Sequence, residues 1–350
     1  MTSRERSEHA MYGRQPDRVP VVPLIDTSYA AACYGVPVSE CFLKPEIHAR
    51  ALVHTLERHP GIDGVSVNIG LAGSVISHRE ENESGYSVTT IDGTDWQIPK
   101  NDIGTPVSHA VSSFDDPCLD EVDVLRPHIV DTLRALPAAL LRDYDNSVGL
   151  TGPFSQVVFL MGVERVLTAM HDEPGKLKRA IERRLPLTLS WADELAALGA
   201  PSVWIGEGLA SSSLISPRQY EEFVLPYEQT VTARLHERGI PSVLHICGKA
   251  GGILNCIGHS GADCFEADWQ VNLSEAKRVL NGRLSLKGNL HTTHLVQSDP
   301  QAIYDEAMEA IRQAKPGGGF ILSSGCAVGR DTPPENIEAM VRAGQDGGTY

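Results

Sequence analysis

The chain has 350 residues and a formal net charge of −15, with no lysine- or arginine-rich run. That balance argues against nucleic acid and anionic membranes as partners, and the sequence lacks the roughly 18-residue apolar stretch that a spanning helix needs. The N-terminus, Met-Thr-Ser-Arg-Glu-Arg-Ser-Glu-His, has no apolar signal core, so a soluble cytoplasmic protein is expected.

The length suits one α/β barrel with insertions, and the core it can build needs no disulfide or structural metal. Eight short apolar runs read as strands: 20–25, 64–69, 147–151, 202–206, 242–246, 263–267, 284–287 and 319–323. Helical patterns lie between most of them, for example over 176–198, 217–238 and 300–314. This alternation predicts a single (β/α)8 barrel over residues 1–350, with a doubly wound open sheet as the alternative. The segment 86–106 interrupts it. Its Ile-Asp-Gly-Thr-Asp turn between β-like runs predicts an antiparallel hairpin inserted after the second strand.

Barrel active sites gather at the C-terminal ends of the strands. The polar residues expected there are Asp26, Asn68, Thr151, Glu207, His245, Cys247, Asp268, Asn289 and Cys326. His245 and Cys247 are two apart, so a strand tip presents both on one face. Gly325-Cys326 closes the last strand run and can complete a His/Cys/Cys set. Three protein ligands leave one position for substrate, as in a catalytic zinc site. For a fourth ligand, Glu266 and Asp268 share a face. Asp268 is nearer the tip and is preferred, either as a ligand or as the carboxylate that orients His245. Cys33, Cys41, Cys118, Cys256 and Cys264 read as core thiols.

Two thiolate ligands lower the metal's Lewis acidity. They favour zinc that binds a substrate thiol over zinc that generates hydroxide, so alkyl transfer to sulfur is the expected chemistry. Hydrolysis or deamination is the competitor. A dehydrogenase is not expected, because no Gly-x-Gly-x-x-Gly follows a strand.

The sequence resembles the uroporphyrinogen decarboxylase superfamily, in its zinc- and corrinoid-dependent methyltransferase branch. The resemblance rests on Asp17-Arg-Val-Pro-Val, Thr151-Gly-Pro-Phe, Leu214-Ile-Ser-Pro with Phe223-Val-Leu-Pro-Tyr, Gly261-Ala-Asp, Asp268-Trp, Gly288-Asn-Leu and Gly325-Cys. His245-x-Cys247 with Cys326 matches the zinc pattern of methylcobamide:coenzyme M methyltransferases. The decarboxylase itself carries arginines after its first strand, whereas residues 26–34 here contain none. The resemblance implies a (β/α)8 barrel and a zinc ion on His245, Cys247 and Cys326. It also implies a corrinoid partner protein that presents methylcobalamin to a thiol acceptor. On that reading Asp268 and Glu207 are the candidate catalytic groups. Asn68, Tyr86, Trp96 and Asn289 are the candidates for cofactor contacts. A demethylase component that loads a corrinoid protein, a uroporphyrinogen decarboxylase, and a non-catalytic zinc-binding partner of a corrinoid protein are the alternatives.

Overall fold

The computed structural model describes residues 1–108, 111–121 and 123–350. Along these residues run β1 (Ser66–Val67), β2 (Ile76–Asn82), β3 (Gly85–Thr90), β4 (Asp95–Pro99), β5 (Thr105–Pro106), β6 (Ser147–Thr151), β7 (Ser202–Gly206), β8 (Ser242–Ile246), β9 (Cys264–Ala267), β10 (Ser285–Leu290) and β11 (Phe320–Ser324). β1 and β6 to β11 form one parallel sheet in that order, and β2 to β5 form a separate antiparallel sheet.

Residues 20–25 close the parallel sheet into a barrel. Val22 N–H donates to Leu322 O and Leu322 N–H to Pro20 O, both at 2.9 Å. On the other side Asp63 N–H reaches Val21 O at 2.7 Å and Ser66 N–H reaches Ile25 O at 2.8 Å. Pro20 and Pro23 have no N–H to donate, which explains why this eighth stave is irregular although it sits where a strand belongs. The barrel expected from the alternation is therefore present. Its strands are buried on both faces, as parallel sheets require: Val148, Leu150, Val203, Ile205, Leu244, Ile246, Phe265 and Leu322 are all in the core.

Two expectations are corrected. The helical pattern over 217–238 is two helices, Pro217–Phe223 and Leu225–Glu237, broken at Val224. Pro226 has no N–H to bond a carbonyl of the preceding turn, so the first helix cannot run on through it, and it sits instead in the first turn of the second helix. The insertion is larger than a hairpin at 86–106. Its turn lies where expected, with Thr90 N–H bonded to Thr94 O at 2.9 Å, but a further strand, β2, precedes it. Residues 77–82 of β2 are exposed throughout, so no apolar alternation marks them as a strand. Among the described residues no helix is long and apolar enough to cross a membrane.

Behind the end of β1 lies a fully buried histidine pair. His48 Nδ1 and His128 Nε2 are 3.1 Å apart, and the rings stack. Burial pushes His48 down to about 3, and burial with the neighbouring His48 lowers His128 as well. Both rings are therefore neutral in the folded chain. Once the pH falls below the ordinary histidine value, the unfolded chain takes up protons that the folded one refuses. The contribution of these groups to stability is complete above about pH 6.5 and is lost toward about pH 3. Between pH 6.5 and 4, urea unfolding of His48→Gln should show a pH slope shallower than that of the unaltered chain by about 1.4 kcal/mol per pH unit. Parallel slopes would reject this account.

Candidate metal centre

Strand register builds the site. Across adjacent parallel strands, Gly206 pairs with His245, His245 with Glu266, and Glu266 with Lys287. Paired residues on neighbouring strands point to the same side of the sheet. This places an imidazole, a carboxylate and an ammonium in one row, all essentially inaccessible to solvent. Glu266 Oε2 lies 3.0 Å from His245 Nδ1, and Oε1 lies 2.9 Å from Lys287 Nζ. Trp204 stacks on His245 with ring centroids 5.0 Å apart and donates its Nε1–H to Glu266 Oε2 at 2.6 Å. Burial alone would raise the Glu266 carboxyl, but Lys287 and His245 outweigh it and hold it down to about 2.

With Nδ1 turned to Glu266, His245 presents Nε2 to the mouth. There it meets Cys247 Sγ at 3.0 Å, and Cys247 Sγ meets Cys326 Sγ at 3.9 Å. The three donor atoms all lie within 4.8 Å of one another. Gly248, at φ +76, turns the chain immediately after Cys247. Gly325 holds the Cys326 loop against the neighbouring one, since a Cβ there would lie 2.4 Å from Trp269 N. Both turns need glycine, the first for its dihedral and the second for the close approach.

Burial works against a charged His245, yet the contacts with Cys247 and Glu266 hold it up to about 10. Cys247 is held down to about 5, first by its contact with the Cys326 thiol and then, against burial, by the imidazolium. The same contact and burial push Cys326 up. Of the two thiols, Cys247 is the more acidic. This soft N/S/S donor set fits a thiophilic divalent ion such as zinc. The buried Glu266 behind His245 stands where a carboxylate would fix the imidazole's tautomer if a metal took Nε2.

The other sequence candidates fall in different places. Asp268 stands outside the cluster of three, and the carboxylate beside His245 is Glu266, one pleat deeper on β9 than expected. Asp268 Oδ1 accepts from Gln270 N–H at 3.0 Å, and its charge is close enough to act on Cys247. Asn289 is committed to the protein, donating to Asp268 O at 3.0 Å and Val271 O at 2.7 Å. Glu207 is sealed from solvent. It accepts from Phe154 N–H at 3.2 Å and Ser155 N–H at 2.9 Å, capping the helix Pro153–Met161 from outside, and burial pushes it up to about 7. Asn68 sits half-buried just past β1, its side-chain oxygen taken by Ile69 N–H at 2.9 Å. Tyr86 and Trp96 are buried in the inserted sheet, Trp96 against Phe42 and Tyr86 beneath the Arg79 guanidinium. As packing residues they offer no open face to a cofactor. Sequence reasoning missed Lys287 and Trp204. A lysine and a glutamate within otherwise apolar strand runs were the available signal, because buried charges occur in pairs.

The chain matches the family described as uroporphyrinogen decarboxylase over residues 2–346. It is 33% identical over 195 residues to a methylated-thiol–coenzyme M methyltransferase of Methanosarcina mazei; the match covers 55% of this chain and spans about half, 51%, of that relative's length. A methylcobamide:CoM methyltransferase MtaA of Methanosarcina barkeri is 23% identical over 98% of this chain and 97% of its own. Uroporphyrinogen decarboxylases match as well, among them that of Anaeromyxobacter dehalogenans. The fold superimposes on a methyltransferase from Methanosarcina mazei with a TM-score of 0.84 and 22% identity, covering 99% of both chains.

Elemental analysis after purification with zinc should find about one ion per chain, lost in Cys247→Ala and Cys326→Ala while the fold persists. Metal retained in both variants would reject the site. Glu266→Gln should weaken zinc binding by roughly 10- to 100-fold. Unchanged affinity in a competition titration with a chelator would remove Glu266 from its orienting role.

Proposed function

Because the chain belongs to the uroporphyrinogen decarboxylase family, we propose that it is a zinc-dependent, corrinoid-linked methyltransferase that moves a methyl group between a methylcorrinoid protein and a thiol. The convergence of His245 Nε2 with the Cys247 and Cys326 sulfurs at the barrel mouth carries this reading. The names of the methyltransferase relatives, one methylcobamide-linked and one acting on methylated thiols, support it.

His245, Cys247 and Cys326 would hold the metal. When bound, zinc supplies the Lewis acidity that favours the thiolate form of an incoming thiol. The chain's own part is orientation and proton handling. Glu266, anchored by Lys287 and Trp204, fixes the imidazole so that Nε2 faces the mouth. Asp268 is the residue we assign to accept the thiol's proton. It lies beside Cys247, and its Oδ2 accepts no hydrogen bond from the described residues, so it is free to take one. The barrel mouth then positions the thiolate for in-line attack on the methyl carbon.

Decarboxylation of a porphyrinogen is disfavoured by residues 26–34. They form the helix Thr27–Tyr34, capped by Asp26, and contain no arginine to receive the substrate's carboxylates.

Purified protein, methylcobalamin and a panel of thiols should yield cob(I)alamin and methylated thiol. Chelation should abolish the reaction and added zinc restore it. Decarboxylation of uroporphyrinogen, or thiol methylation indifferent to chelators, would overturn the proposal. Asp268→Asn should slow transfer by about 10²-fold or more while zinc content stays unchanged. Full activity in that variant would return the proton to solvent.

A further inference from the structure

A cavity of about 600 Å³ opens at the opposite pole of the barrel from the metal centre. It lies at the N-terminal ends of β9, β10 and β11, where Asp263, Ser285 and Gly319 line it. That volume is within the range of small-molecule sites. Seven of its lining residues are glycines: Gly13, Gly258, Gly261, Gly282, Gly317, Gly318 and Gly319. Gly317, Gly318 and Gly319 run consecutively at φ +83, +85 and +66. Gly13, Gly282 and Gly317 have open space where a Cβ would stand, so a ligand can approach the backbone at these three without meeting side chains.

The charges in the cavity run against those of the protein. The chain carries −15 in total, yet this cavity holds Lys277 and Arg283, neither of which is ion-paired to a carboxylate among the described residues. Lys277 is half-buried and its ammonium is directed to the Gly318 carbonyl. Arg283 donates to Val279 O at 2.5 Å and approaches His259 Nε2 at 3.4 Å. Asp263, the one carboxylate in the lining, is already engaged by His236 Nε2 at 2.9 Å and by Ser242 N–H at 2.8 Å. Burial pushes the Lys277 ammonium down, the expected result for a cation with no counter-charge beside it.

We propose that this cavity is an anion site that binds a phosphorylated small molecule, with Lys277 and Arg283 on the phosphate oxygens and the open backbone of Gly317 against the phosphate. Lysine and arginine are the side chains that hold phosphate by charge-assisted hydrogen bonds, and a glycine-walled loop admits the group to the backbone. Tyr12, exposed at the rim, offers a ring face to the organic part of the ligand. The site is independent of the metal chemistry, so its failure would leave the proposed methyl transfer untouched.

Titration calorimetry with pyrophosphate on the zinc-loaded protein, at fixed ionic strength, tests it. The unaltered chain should bind, and Lys277→Ala and Arg283→Ala should each weaken binding about ten-fold or more, with zinc content unchanged. Arg283 is exposed, so its variant keeps the test decisive if Lys277→Ala fails to fold. No heat with the unaltered chain, equal affinity in the Arg283 variant, or equal binding of sulfate would overturn the proposal.

Discussion

Glu266 is a fully buried carboxylate with cations on two sides, and the functional end of the barrel depends on it. It holds His245 through one oxygen and Lys287 through the other, and it receives the Trp204 indole. Removing one member of a buried ion pair costs about 3–5 kcal/mol, because the survivor is left charged and unpaired. The row is therefore fixed by mutual need: Lys287 needs Glu266, and Glu266 needs both neighbours. A direct consequence is the direction of the imidazole. With Nδ1 held inward, only Nε2 faces the two cysteine sulfurs.

The mouth is then assembled from three loops that a rigid sheet brings together. The loop after β8 supplies Cys247, the loop after β11 supplies Cys326, and the turn after β9 supplies Asp268 and Trp269. Asn289 ties that turn to β10 by its two hydrogen bonds. Gly325 lets the Cys326 loop lie against Trp269, so a bulkier residue there would push a ligand-bearing loop away from its partners. Rigid strands thus set the depth of the site, and short glycine-bearing turns set its rim.

Much of this was legible in the sequence, and the rest was hidden for definable reasons. The central strands read well because they are continuous apolar runs, and those at 147–151, 202–206 and 242–246 coincide with β6, β7 and β8. The convergence of His245, Cys247 and Cys326 was legible from the i, i+2 spacing and the Gly-Cys ending of the last strand. The role of Glu266 depends on register between strands, which one sequence does not reveal. Asp268 was favoured by its nearness to the tip, whereas the stagger of β8 against β9 sets Glu266 opposite His245. Tyr86 and Trp96 are buried because an inserted sheet needs its own apolar face. β2, a strand of mostly charged and polar residues that carries no apolar signal in the sequence, completes that sheet.

X-ray absorption at the zinc edge tests the central claim most directly, because it reads ligand identity without a crystal. The account predicts two sulfur neighbours at about 2.3 Å and one imidazole nitrogen at about 2.0 Å in the resting protein. Adding the thiol acceptor should add a third sulfur. A shell without sulfur, or one that does not change when the thiol binds, would contradict the assignment of His245, Cys247 and Cys326 as the site of thiol activation.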